Sequence, residues 1–150
     1  MSSTFYRKLP TPLEIKTMYP VPEDVAKIKE ENDKTIKNIF TGKDDRFILV
    51  IGPCSADNEE AVADYVGRLA KVQEQVKDKI LIIPRIYTNK PRTTGKGYKG
   101  MLHQPDPEKK PDLLQGLITI RQLFINLMKD THFPLADEML YPENARYFED

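Results

Sequence analysis

A chain of 150 residues and 17.3 kDa is long enough for one ordinary domain with a sizeable core, and too short for two. With 39% hydrophobic and 31% charged residues and a mean hydropathy of -0.54, the composition is that of a soluble globular protein, without the roughly 20-residue apolar run that spans a bilayer. Twenty-three basic and 23 acidic side chains cancel, so net charge gives no reason to invoke nucleic acid or an anionic membrane, and any electrostatic function must be local.

The first residues carry no apolar stretch of signal-peptide type, and a single cysteine cannot form an internal disulfide. Both point to the cytoplasm. Pro10, Pro12, Pro20 and Pro22 punctuate the first 22 residues, which predicts an extended arm without core residues. From Glu23 to about Phe40, Val25, Ile28, Ile36 and Ile39 fall near helical spacing, with Gly42 as a C-terminal stop. Phe47-Ile48-Leu49-Val50-Ile51, closed by Gly52-Pro53, has the pattern of a strand buried on both faces. Asn58 then caps a helix with Val62, Tyr65, Val66, Leu69, Val72 and Val76 on one stripe, running to Lys77.

A second apolar run, Ile80-Leu81-Ile82-Ile83, leads into Pro84-Arg85-Ile86-Tyr87 and a long Gly- and Pro-rich connection to about Lys110. Connections of that length are normally functional or disordered. Pro111 and Asp112 open another helix, its stripe carrying Leu114, Leu117, Ile118, Arg121, Phe124, Ile125 and Met128. After a turn at His132-Phe133-Pro134, the segment from Leu135 to Leu140 reads as a third strand, and Pro142 starts a helix that the chain end interrupts. Strands alternating with helices define an α/β class with a parallel sheet.

Between Asp78 and Asp106 there is no acidic residue, while Lys79, Arg85, Lys90, Arg92, Lys96 and Lys99 are basic. Arg85 ends a strand and most of the others lie in the connection it feeds, where α/β folds place their ligands. The ligand implied is an anion. Arg supplies a planar fork for carboxylate or phosphate, Lys a point charge, and Thr93-Thr94 with Gly95 and Gly97 hydroxyl and backbone donors. A solvated basic loop is the alternative. The glycines match neither a Walker loop nor a dinucleotide fingerprint.

Cys54 follows the first strand directly, where it is either a small buried hydrophobe or a thiol facing the same mouth as Arg85 and Lys90 and open to a divalent transition metal. His103 and His132, the two histidines, form no ligand-spaced pair with it. Glu138 ends near the mouth on the third strand, to contact a substrate hydroxyl, orient a base or form a surface salt bridge.

Gly52-Pro53-Cys54-Ser55, Arg85-Ile86-Tyr87, Lys90-Pro91-Arg92-Thr93-Thr94 and Gly97-Tyr98-Lys99-Gly100 together resemble the N-terminal part of the metal-dependent type I 3-deoxy-D-arabino-heptulosonate 7-phosphate (DAHP) synthases. These enzymes condense phosphoenolpyruvate with erythrose 4-phosphate at the head of the shikimate pathway. The resemblance starts at about Glu23. Lys90-Pro91-Arg92-Thr93 separates it from the sister 3-deoxy-manno-octulosonate 8-phosphate synthases, which carry Lys-Ala-Asn-Arg there.

The fold this implies is a (β/α)8 barrel, here its first three βα units over residues 43–150, preceded by an N-terminal extension over residues 1–42 with a possible oligomer or regulatory role. The implied site residues are Cys54 as a ligand of a divalent metal of the Mn, Fe, Co or Zn class, Arg85 and Lys90 on the phosphoenolpyruvate carboxylate, Lys90 also beside the reacting aldehyde, and Arg92 and Thr93 on the erythrose 4-phosphate phosphate. The other metal ligands belong to later strands, absent here. Implied partners are the two substrates, an aromatic amino acid as feedback inhibitor and further copies of the chain, with no nucleic acid and no membrane.

The expectation is therefore a truncated parent enzyme, inactive by itself. The alternative is a non-catalytic phosphoenolpyruvate-binding, regulatory or oligomerisation module. Gly95-Lys96-Gly97 makes the basic loop one residue longer than in some relatives.

Overall fold

In the computed structural model, which describes residues 8–92, 94 and 96–150, the two apolar runs lie side by side as parallel strands. β1 (Phe47–Ile51) pairs with β2 (Ile80–Pro84) in a register that sets Phe47 opposite Ile80 and Ile51 opposite Pro84. β2 is the buried one, with Leu81, Ile82 and Ile83 all under cover. β1 departs from the expectation of burial on both faces. Phe47 and Val50 are 68% and 52% exposed, and among the described residues β2 is its one strand neighbour.

Among the described residues, five helices of different kinds complete the order. α1 (Pro12–Met18) and α2 (Glu23–Phe40) precede the sheet, α3 (Glu59–Val76) links the strands, α4 (Leu113–Thr131) follows the long connection, and Pro142–Tyr147 forms a 3-10 helix. The predicted stops and caps lie where the sequence puts them. Gly42 takes φ +70° just past α2, the Asn58 side chain accepts the Ala61 amide at 2.9 Å, and that of Asp112 accepts the Gln115 amide at 3.1 Å.

The arm is a correction. Pro12 occupies the first turn of α1, a position where its missing N–H costs nothing, and Thr11 and Glu14 form a reciprocal capping box. Ile15 of this short helix is fully buried, so the arm carries core after all. It is tied down at both ends: Tyr147 Oη donates to Pro10 O at 2.8 Å, and the buried Arg121 donates through Nε to Tyr19 O at 2.6 Å.

The third strand is a second correction. Ala136 meets β2 in a single parallel bridge opposite Arg85, donating to Pro84 O and accepting from Ile86 N, both at 2.9 Å. The next rung would use the amides of Thr88 and Glu138. Both donate instead to the Asp137 carboxylate, Oδ1 lying 2.9 Å from Thr88 N and 2.8 Å from Glu138 N. A side chain has intercepted the ladder, and the strand ends after one rung. The helix expected from Pro142 is likewise a 3-10 turn rather than an α-helix.

The core gathers Val62 and Val66 of α3, Ile82 of β2, Ile86, Phe133, and Leu117, Ile120, Leu123 and Leu127 of α4. Met101 and Leu102, from the long connection, are fully buried with them. Each contributes about 1.5–3 kcal/mol by leaving water, which fixes the far end of a loop that composition alone would leave loose. α4 comes so close that a Cβ on Gly116 would sit 1.9 Å from Leu102 O. This helix is covered on two sides, by α2 and by α3, so its buried set is Gly116, Leu117, Thr119, Ile120, Arg121, Leu123 and Leu127 rather than the single predicted stripe.

Candidate functional site

The site forms where the chain leaves β1 and β2. Arg85 N donates to Ile51 O at 2.9 Å, continuing the ladder one residue past the strands. The exit of β1 runs so close to it that a Cβ on Gly52 would lie 1.7 Å from Arg85 O. Only glycine fits there. Beyond Arg85, Ala56 N donates to Tyr87 O at 3.0 Å, which fastens the loop carrying Cys54 to the loop carrying Lys90.

Tyr87 is the turning point. Its φ of +64° is a left-handed conformation that a bulky residue rarely adopts. The turn leaves the Arg85 guanidinium 4.4 Å from the Tyr87 ring centroid and Lys90 Nζ 5.5 Å from it, so both cations lie within cation–π range of one ring. Arg85 also donates through Nη2 to Pro53 O at 2.9 Å and is ion-paired with Glu138. Lys90 Nζ lies 2.7 Å from Cys54 Sγ and 3.0 Å from Cys54 O.

Cys54 is exposed, which removes the buried-hydrophobe reading. The hydrogen bond from Lys90, and then its charge, pull the thiol below the ordinary cysteine value, with Arg85 and Arg92 adding to the effect. Arg92 is held by its Nε donating to Tyr98 O at 2.8 Å. Tyr98 in turn donates its hydroxyl to Ala56 O at 3.3 Å, and burial, aided by the charge of Asp57, pushes that phenol up to about 12. It stays neutral across the physiological range.

Of the residues singled out in the sequence, Cys54, Arg85, Lys90 and Glu138 converge, with Arg92 adjacent. Thr93 lies outside the described residues. Lys79 stands at the opposite end of β2, and Lys96 and Lys99 are exposed on the loop. His132 is the left-handed cap of α4, a turn residue as expected. His103 packs edge-on against Tyr141 at 5.6 Å, and burial, with Lys99 nearby, pushes its imidazole down.

Sequence reasoning missed Tyr87, Thr88 and Asp137. Thr88 is fully buried, and its hydroxyl donates to Asp137. The available signal was the acidic pair Asp137-Glu138 interrupting an apolar strand pattern.

A divalent metal is a different matter. Cys54 is one soft donor, and no group of three His, Cys, Asp or Glu side chains able to hold an ion is gathered among the described residues. The described residues do not make a metal centre by themselves. No described helix is long and apolar enough to cross a membrane.

Comparison with known proteins covers the stretch of chain that carries these residues. The model of the DAHP synthetase I family matches residues 23–150. The phospho-2-dehydro-3-deoxyheptonate aldolase of Corynebacterium glutamicum is 32% identical over 145 residues, which is 97% of this chain and 39% of that protein. The phenylalanine-inhibited phospho-2-dehydro-3-deoxyheptonate aldolase of Saccharomyces cerevisiae is 38% identical over 128 residues, 85% of this chain and 33% of its own length.

The solved phospho-2-dehydro-3-deoxyheptonate aldolase of Francisella tularensis superposes with a TM-score of 0.88 at 31% identity, covering 98% of this chain and 42% of that one. The chain thus spans about two fifths or less of the relatives it matches. With Arg85 and Lys90 gathered beside Cys54 beyond the ends of two parallel strands and the family match running over residues 23–150, the chain belongs to the DAHP synthetase I family.

Proposed function

We propose that this chain supplies the anion-binding part of a DAHP synthase site, for the condensation of phosphoenolpyruvate with erythrose 4-phosphate. The observation that carries the reading is the convergence of Arg85 and Lys90 on one mouth beside Cys54, with Arg92 next to them. Two phosphorylated substrates, one of them also a carboxylate, need such a mouth, and cations held in place beforehand stabilise charge better than cations in bulk water. In this reading the strands belong to the first part of a (β/α)8 barrel over residues 43–150, residues 1–42 are an extension serving assembly or regulation, and the protein works in the cytoplasm.

The roles follow from the chemistry of each group. Arg85 offers its fork to the phosphoenolpyruvate carboxylate, with Glu138 fixing the guanidinium from the other side. Lys90 balances the same carboxylate and sits beside the aldehyde, where its ammonium steadies the oxygen that gains charge as the enol carbon attacks. Water then adds at the former enol carbon and phosphate leaves. Arg92, oriented by Tyr98, takes the sugar phosphate together with Thr93. Cys54 would give one donor to a divalent metal whose other ligands lie outside these residues, so no step is drawn through it. Feedback by an aromatic amino acid, named for the yeast relative, and self-assembly extend the same reading.

The test is phosphoenolpyruvate consumption with erythrose 4-phosphate and Mn2+, with and without chelator. It compares the 150-residue chain with the same chain continued through the remaining length of its relatives. Turnover in the longer protein alone, lost in Arg85→Ala, is expected. Full activity in the longer Arg85→Ala protein would remove the assignment.

A further inference from the structure

Asp137 has no part in the roles just given, yet it touches the segment that carries them. Its Oδ1 accepts the amides of Thr88 and Glu138, and its second oxygen accepts the Thr88 hydroxyl. Thr88 is wholly buried, so water cannot replace either bond. The same hydroxyl accepts from Asn89 Nδ2 at 3.3 Å, which sets its proton toward Asp137.

The other backbone groups of residues 86–90 that are tied find main-chain partners: Ile86 N to Ala136 O, Tyr87 O from Ala56 N, Thr88 O from Leu102 N at 3.2 Å and Lys90 N to Lys99 O at 3.1 Å. Among the hydrogen bonds of the described residues, the Asp137 carboxylate is the side-chain acceptor in this arc for both a backbone N–H and a side-chain donor. It acts immediately after Tyr87, the bulky residue held at φ +64°. Such a conformation costs free energy and persists only where its surroundings over-determine it.

We propose that Asp137 is a positioning residue: by holding the amide and hydroxyl of Thr88 it maintains the left-handed turn at Tyr87 that aims Arg85 and Lys90 into the mouth. The inference rests on the anion-binding reading above for its functional meaning, but its geometric content stands apart from it. A regular third strand would have paired the Thr88 amide with a backbone carbonyl and continued the β conformation past Tyr87. The carboxylate stops the ladder at that residue and turns the chain, so the interrupted strand and the strained tyrosine have one cause.

The test uses NMR on the 150-residue chain, which is within range of assignment. Two contacts report the geometry: nuclear Overhauser effects between the Tyr87 ring and the Arg85 side chain, and between the Lys90 side chain and the Cys54 methylene. Thr88→Val keeps the volume and removes the hydroxyl. Both contacts are expected to disappear, with the core methyl signals of Val66 and Ile82 unmoved, and Thr88→Ser is expected to restore them. A merely structural bond would shift the melting point without this selective loss or this rescue.

Should Thr88→Val not fold, Asp137→Asn keeps the shape of the side chain with one acceptor and is expected to weaken both contacts. Retention of both in whichever variant folds overturns the proposal. Phosphoenolpyruvate titrated into the same samples answers the other question. Affinity is expected to fall about tenfold in Thr88→Val and to recover in Thr88→Ser, the size expected when one charged hydrogen bond to the ligand is misplaced. Absence of binding to the unaltered chain would refute the anion-binding reading, leaving the contact measurements to decide the role of Asp137.

Discussion

Lys90 Nζ lies 2.7 Å from Cys54 Sγ and 3.0 Å from the same residue's carbonyl oxygen, so one ammonium grips both the side chain and the backbone of the loop that follows β1. The contact makes the thiol a reporter. Because the hydrogen bond and charge of Lys90 lower the thiol's proton affinity, Cys54 is expected to react with iodoacetamide at neutral pH faster than an unperturbed cysteine. Lys90→Met should slow the reaction and move its pH profile upward. Since the chain has a single cysteine, the rate is read directly by mass, and an unchanged profile in the variant would deny the pairing.

Arg85 and Arg92 are expected to divide the two substrates between them. In the protein extended to the length of its relatives, Arg92→Ala should raise the Michaelis constant for erythrose 4-phosphate more than that for phosphoenolpyruvate, and Arg85→Ala should do the reverse. Truncating a charged hydrogen-bonding partner typically removes about 1.5–3 kcal/mol of binding. Steady-state kinetics with each substrate varied in turn decides the matter, and equal effects of one variant on both substrates would remove its assignment.

Gly52 and Gly67 should respond to alanine with opposite sign. At Gly52 the new methyl would meet the Arg85 carbonyl at 1.7 Å, a backbone atom unable to step aside, whereas at Gly67 there is nothing within 4 Å. Gly52→Ala is expected to cost about 3 kcal/mol or more through overpacking. Gly67→Ala, within α3, should gain about 0.5–1 kcal/mol from helix propensity. Denaturant unfolding of the two variants beside the parent measures both.

Acid should loosen the contact between α4 and the C-terminal segment. Arg121 Nη1 and Nη2 hold the two Asp150 oxygens at 2.7 and 2.8 Å. Burial raises the Asp150 carboxyl, but the hydrogen bonds and charge of Arg121 outweigh it and leave the group below its ordinary 3.8. A lowered carboxylate contributes stability that is fully present above the ordinary value and is lost as pH falls through the lowered one. Thermal melts in steps below about pH 4 should therefore show a loss in the parent that is smaller in Arg121→Met. Parallel curves would refute the linkage.

Much of this architecture could be read from residues. Two continuous apolar runs, the caps at Asn58 and Asp112 and the glycine after α2 gave the α/β order, because each is a local rule with one outcome. Arg85, Lys90 and Cys54 came together as expected, since parallel strands deliver their C-terminal ends to one side.

What could not be read is where a local rule met a tertiary choice. Four prolines suggested an extended arm, yet Thr11 and Glu14 could cap a helix that Pro12 begins, and Ile15 gave it a reason to dock. The run from Leu135 to Leu140 had strand composition, but the Asp137 side chain won the amides a strand would have used. The positive φ of Tyr87 has no sequence signature, as it follows from those same bonds.

The close approach of α4 to the long connection also bears on how this family can vary. With Gly116 against the Leu102 carbonyl, and Met101 and Leu102 sealed in the core, any gain or loss of residues between Lys90 and Gly100 has to be accommodated in the outer arc around residues 91–99. Insertions there can change the reach of the lysines over an anionic ligand while the strand ends, and the cations fixed to them, keep their places.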